Sequence, residues 1–301
     1  MKNIAIAILL LSTLNSCIKT LELEAKDKTS KLVVNSLFLS GEIWKVHVSK
    51  SLSVLDRGNL EDVTNATVKI IEEDGNSFIL PHFVNGIYRP TGITIGISEN
   101  KKFKIEVSAP GFKTVTSENI CPQKTLISSA SYTDSKNELG FEAIDRKIKV
   151  SIKDRSGEEN YYVLEYEVYQ FRIDTNSTTG QIDTTVNGGG ISYLESSSPF
   201  VDGSGSSFST PFITFTDNLF DGKTQEITFS SYIYDNGIGS NHSINRVSLY
   251  TVSKETYRYY KSMNAYIKAE DNPFAEPVQV FSNIENGFGI FAGKSKSEFI
   301  F

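Results

Sequence analysis

The chain has 301 residues, 39% of them hydrophobic and 22% charged, with 30 Lys+Arg against 36 Asp+Glu and a formal net charge of −6. That composition belongs to a globular protein with enough apolar surface for one large or two modest cores, and it excludes disordered, collagen-like and coiled-coil architectures. The acidic balance lacks the clustered Lys and Arg that neutralise phosphates, so no nucleic-acid partner is expected. With 2 Cys and 3 His in the chain, most thiol, haem and zinc chemistry lacks ligands, and no cofactor or metal is expected.

Residues 1–16 read as a signal peptide. Lys2 supplies a basic start and Ile4 to Leu11 an apolar run, far short of the roughly 20 residues that span a bilayer. The run closes on Leu14-Asn15-Ser16-Cys17, which resembles a bacterial lipobox. The resemblance implies cleavage before Cys17, a diacylglyceryl thioether on its sulfur, and a membrane partner reached through that lipid anchor. The alternative is an ordinary signal peptide with Cys17 an incidental thiol. Cleavage at this point removes one lysine and no acid, which takes the formal charge from −6 to −7. Residues 17–30 are polar and aperiodic and read as a tether.

From residue 31 the pattern is that of strands. Leu32-Val33-Val34, Trp44 to Val48 and Thr67 to Ile71 are rich in β-branched residues, and Asp74-Gly75 and Asn85-Gly86 sit between apolar runs as hairpin turns. Phe103, Ile105 and Val107 alternate with charged residues, one face core and one face solvent. Residues 31–122 therefore read as a β-sandwich resembling immunoglobulin-like or carboxypeptidase-regulatory domains, bounded by Cys121-Pro122. Cys121 reads as a small buried hydrophobe.

Residues 123–301 read as a larger β-rich sandwich or partial barrel. Ile148, Val150 and Ile152 point inward, and Ser156-Gly157 is read as the turn of a hairpin into the strand from Tyr161 to Ile173. The Thr/Ser/Asn/Gly-rich stretch 174–209, with Gly188-Gly189-Gly190, reads as a long loop that is either functional or disordered. Within it Asp183-Thr184-Thr185 resembles a Bacteroidota O-glycosylation site, with Thr184 the acceptor. One amphipathic helix is predicted near 254–270. Ser253 is its N-cap, Glu255 lies in its first turn, and Tyr259, Tyr260, Met263, Tyr266 and Ile267 recur at spacings of three and four. That aromatic stripe is either a core-packing face or the wall of a ligand groove.

The C-terminal region reads Asn272-Pro273-Phe274-Ala275-Glu276-Pro277, then Asn283-Ile284-Glu285-Asn286-Gly287-Phe288-Gly289. With Asp217-Asn218-Leu219-Phe220-Asp221-Gly222-Lys223 and Tyr257-Arg258-Tyr259-Tyr260 in order before it, the chain resembles a Bacteroidota lipoprotein family known as domain of unknown function 4249. The resemblance implies a surface lipoprotein accompanying a TonB-dependent outer-membrane receptor. Gly287 and Gly289 read as turn and close-approach positions between two short strands. Phe274 reads either as a plug fixing a loop on the core or as a binding residue, and Phe274, Tyr259 and Tyr266 are the candidates for contact with a ligand or partner.

No nucleophile elbow, zinc helix, Walker loop or dinucleotide fingerprint is present. His47, His82 and His242 have no companion at ligand spacing, and no catalytic residue is assigned. Three functions follow in order. The first is a non-catalytic accessory or ligand-binding subunit of a TonB-dependent uptake system, lipid-anchored at the outer membrane and facing the exterior, with the periplasmic face as the alternative. The second is a structural or assembly factor of the outer membrane. The third is a surface hydrolase acting through carboxylates.

Overall fold

The computed structural model describes residues 30–52, 59–92, 96–136, 143–175, 177–202, 210–234, 242–270, 275–276 and 278–301. Strict alternation in the sequence becomes strand at once. β1 (Leu32–Leu39) buries every second residue, with Leu32, Val34, Ser36 and Phe38 inward. β2 (Val46–Lys50), β3 (Thr67–Glu72), β4 (Ser77–Leu80), β5 (His82–Val84), β6 (Ile87–Tyr88), β7 (Lys101–Ser108) and β8 (Val115–Cys121) follow. Gly75 at φ 89° turns β3 into β4, while Asn85 and Gly86, at φ 47° and 66°, form the doubly left-handed turn that suits the twist of the β5–β6 hairpin. β4, β3, β7 and β8 form one layer, and β1, β2, β6 and β5 lie in the layer facing it. Val34, Val48, Val68, Ile70, Ile105 and Val107 fill the space between them.

The second half repeats the two-layer solution. It comprises β9 (Ile127–Lys136), β10 (Ala143–Lys153), β11 (Tyr161–Thr175), β12 (Ile182–Ile191), β13 (Ile213–Thr216), β14 (Thr224–Tyr234) and β15 (His242–Val252), then the helix α1 (Lys254–Glu270) and β16 (Phe288–Ile300). β14, β10 and β9 form a three-stranded sheet. It packs on β11 and β15 through Ile148, Val150, Ile152, Tyr162, Leu164, Tyr166, Phe229 and Leu249. The second layer of both sandwiches is a single nine-stranded sheet in the order β12-β11-β15-β16-β1-β2-β6-β5, with β13 also on β11.

β16 joins the two cores. Phe288 to Lys294 pair parallel to β1, and Lys294 to Ile300 pair antiparallel to β15. Its first half sends Phe291 into the aromatic centre of the first sandwich, stacked on Trp44 at 6.0 Å and 4.8 Å from Phe38. Its second half lays Phe299 against the other core. The boundary at residue 122 therefore divides the strands but not the packing, because Ile284 and Phe291 return to the first core.

Three local readings are corrected. β10 and β11 do not form a hairpin: β10 pairs with β9 and β14, β11 with β12, β13 and β15, so the turn at Ser156-Gly157 carries the chain from one layer to the other. The stretch 174–209 contains the strand β12, because Ile182, Thr184, Thr185 and Val186 favour extended backbone and Gly189, at φ 148°, lets β11 approach where a Cβ would meet Val168 O at 2.5 Å. Gly289 is inside β16 rather than between two short strands, at φ 109° with Val34 O only 2.1 Å from where a Cβ would stand. Asn286, at φ 62°, makes the turn before the strand. Asn283 completes it, accepting from Phe291 N at 2.9 Å and donating to Phe291 O at 2.8 Å as a strand would.

Two predictions test the β16 seam. A Cβ on Gly293 would stand 2.2 Å from Ile120 O and 2.8 Å from Cys121 Cα, both backbone, so Gly293→Ala is expected to lower unfolding free energy by about 3 kcal/mol or prevent folding. Gly96→Ala, with no atom within 4 Å, is expected to change it by under about 0.5 kcal/mol; equal effects in denaturant titrations would refute the seam's role. Cys121 is fully buried, and burial pushes its thiol from 9.0 up to about 11. The thiol stays protonated in the folded chain between those values while the unfolded chain ionises, so folding stability falls as pH rises from 9 to 11, by about 2 to 3 kcal/mol. Cys121→Ala should remove that component, and a variant retaining the full decline would sink the assignment.

Candidate functional site

The helix α1 packs on the large sheet over β11, β13, β15 and β16 and reaches Leu39 at the end of β1. Ser253 caps α1, its Oγ accepting from Thr256 N at 3.2 Å, and Glu255 in the first turn accepts from Asn119 Nδ2 at 2.7 Å. The helix lays Tyr257, Tyr260 and Met263 on Val163, Phe212, Tyr250 and Val252. Of the predicted stripe, Tyr260 and Met263 are core-facing. Tyr257, which the spacing argument missed, is the most buried tyrosine of the helix and donates to Asp202 Oδ2 at 2.6 Å.

Tyr259 sits one step around the helix and lines an open pocket of about 290 Å³ on the sheet. Leu37, Leu39, Ile43 and Ile290 are its aliphatic lining, and Asn35, Glu42, Lys45 and His47 add an amide, a carboxylate, an ammonium and an imidazole. Strand register explains the grouping: Asn35 is opposite both His47 on β2 and Ile290 on β16. His47 Nε2 is held 2.8 Å from Asp62 Oδ1, and burial raises the Tyr259 phenol above its ordinary pKa, so it is a neutral donor at physiological pH. Aliphatic side chains joined by a few polar groups are the arrangement of a small-molecule site.

The other predicted contacts do not join it. Tyr266 is 42% exposed and lies outside the pocket lining, and Thr184 is exposed on β12 rather than in a loop. Phe274 and Cys17 lie outside the described residues, as do the signal peptide and all of the tether except Ser30.

Two ionisable clusters lie elsewhere. Beneath α1, Lys294 Nζ is 4.4 Å from the Tyr250 ring centre and Tyr250 donates to Glu165 Oε2 at 3.2 Å. Burial lowers the Lys294 pKa, opposed by the Glu165 charge, and burial raises that of Glu165. Both are moved toward their neutral forms, and the helix shields them. At the layer-crossing corner the carboxylates of Asp154, Asp217 and Asp221 come within 4.8 Å of one another, a spacing that can hold a cation. Their oxygens already take protein donors. Asp154 accepts from the Tyr162 hydroxyl and from Gly222 N, Asp217 from Asn160 N at 2.9 Å, and Asp221 from Gly157 N at 2.9 Å. Desolvation, reinforced by the Asp154 charge, raises the Asp217 pKa. This arrangement staples the turn after β10 to residues 217–222, and Phe220 behind it is buried in the second core.

Among solved structures, the chain is similar to a two-domain fibronectin type-III segment of chicken tenascin, at 11% identity and a TM-score of 0.20, over 74% of this chain and 90% of that one. No curated protein matches. The lipobox-like start lies just ahead of a family match that runs through the Asp217 staple, the aromatic helix and the glycine-bearing β16. Over residues 18–300 the chain belongs to the family described as Domain of unknown function (DUF4249).

Proposed function

We propose that this protein is a non-catalytic, lipid-anchored component of the outer-membrane surface in Bacteroidota, acting as the accessory or ligand-binding subunit of a TonB-dependent nutrient-uptake system. The observation that carries the binding role is the pocket lined by Tyr259, which is small and combines aliphatic side chains with four different polar functions. Such a site holds a ligand by contact and hydrogen bonds. Anchoring in this reading falls to the lipid on Cys17, and no helix among the described residues is long and apolar enough to cross a membrane. The lipobox-like Leu14-Asn15-Ser16-Cys17 supports the same reading.

Extraction of a tagged copy from its native host in mild detergent is expected to bring down a TonB-dependent barrel, and globomycin is expected to leave an uncleaved precursor. Tyr259→Ala and His47→Ala are expected to keep the barrel association and to slow growth on the imported nutrient alone. His47→Ala should cost under about 1 kcal/mol of stability, since its pair with Asp62 is solvent-exposed. A protein recovered without a barrel, or a deletion that damages the envelope on every carbon source, would reject the uptake role in favour of a structural one.

A further inference from the structure

Around the large sheet, charged side chains pair with one another. Lys50 Nζ is 2.6 Å from Glu61 Oε1, Arg246 Nη1 is 3.0 Å from Glu167 Oε2, and Lys296 Nζ is 2.8 Å from Glu298 Oε1. The pocket lined by Tyr259 departs from that pattern. Among the described residues, Glu42 and Lys45 in its lining form no ion pair with each other or with another side chain, and Lys294 meets the Glu42 charge only through space. The Asn35 amide and the Tyr259 hydroxyl make no hydrogen bond among the described residues either.

These charges stand on fixed backbone. Trp44, between them, is fully buried, with its ring 5.1 Å from that of Phe38 and 5.0 Å from that of Phe103. Glu42 N donates to Leu39 O at 3.1 Å, and Glu42 O accepts from Ile97 N at 3.2 Å. Lys45 O accepts from Ser36 Oγ at 2.9 Å. Ile43 is 45% exposed between the two charges and shares the lining with Leu37, Leu39 and Ile290. One anion, one cation and an aliphatic surface are thus held in one place, with little backbone left to order on binding.

We infer that the pocket takes an aliphatic zwitterion, an α-amino acid or short peptide with free termini and a leucine-like side chain. The inference rests on the binding role proposed for this pocket and names its ligand. The ligand carboxylate meets Lys45, its ammonium meets Glu42, and its side chain lies on the aliphatic lining. Tyr259 and Asn35 supply hydrogen bonds beside the charges. The two site charges cancel, so a ligand with a single charge leaves the opposite one unanswered. A phosphate or a sugar acid would face Glu42 as a like charge. A neutral sugar would press hydroxyls against four aliphatic side chains, where they lose water without gaining partners. The volume of about 290 Å³ lies at the lower end for small-molecule sites and fits one or two residues rather than a longer peptide.

Titration of the purified full mature chain, followed by ligand NMR, tests the charges one at a time. Leucine and leucyl-leucine are expected to bind. Leucinamide, which lacks the carboxylate, and N-acetylleucine, which lacks the ammonium, are each expected to bind about fivefold more weakly, the size of one exposed ion pair. Lys45→Gln is expected to abolish the preference for leucine over leucinamide and to keep that over N-acetylleucine, and Glu42→Gln to do the reverse. Both side chains are exposed, so the circular dichroism spectrum and unfolding midpoint should stay those of the parent. The tighter of leucine and leucyl-leucine identifies a free amino acid or a peptide as the source. Equal binding of the blocked ligands, a response to glucose or phosphate exceeding that to both zwitterions, or no binding of either zwitterion would overturn the inference. If Tyr259→Ala still slows growth in that last case, the ligand class fails and the binding role stands; if it grows as the parent does, the binding role fails as well.

Discussion

The close approach at Gly293 is the constraint on which the remaining architecture rests. Here β16 leaves β1 for β15, and three parts of the chain meet at one residue without a side chain. Gly293 N donates to Asn119 Oδ1 at 3.0 Å, while Gly293 O accepts from Ser253 N at 3.1 Å and from Thr256 Oγ1 at 3.0 Å. Asn119 in turn donates to Glu255. The first sandwich, the last strand and the first turn of the helix are thus bound into one buried polar network in which donors and acceptors satisfy each other, as burial demands. Because the helix start is tied to the strand crossing, its axis over the sheet is set, and with it the place of Tyr259 beside β1 and β2. The pocket is a consequence of that crossing.

Buried charge elsewhere follows the same logic. Arg146, 5% exposed inside the second half, sends Nε and Nη2 to the two oxygens of Asp134 at 2.7 Å each, and Nη1 to Asn245 at 2.6 Å. Bidentate pairing with the remaining donor also engaged is the condition under which an interior ion pair is tolerated rather than destabilising. The Asp154–Asp217–Asp221 corner is the anionic counterpart. Its carboxylates are held by backbone N–H groups and by Asn160 and Tyr162, and Gly222, at φ 68°, packs so closely on Ser156 that a Cβ would stand 2.6 Å from the serine Cβ. The Asp-x-Leu-Phe-x-Gly-Lys stretch thereby acquires a physical meaning. Its aspartates staple a turn, its phenylalanine fills a core and its glycine permits contact.

Periodicity carried much of this fold into the sequence, and its failures have physical causes. The alternation of Phe103, Ile105 and Val107, the Asn85-Gly86 turn and the Ser253 cap are local effects, and all appear as read. The Ser156-Gly157 dipeptide reports a change of direction and not the layer in which the next strand lies; Asp154 and Asn160 decide that by reaching a loop more than fifty residues away. β12 was hidden because glycine and threonine signal loop in composition, whereas Gly189 is there to admit the backbone of Val168. Of the candidate contacts, Tyr259 lines the pocket, but its neighbours Asn35, Lys45 and His47 come from β1, β2 and the connection between them, which the parallel pairing of β1 with β16 brings beside the helix. Pairing at that sequence separation leaves no local trace.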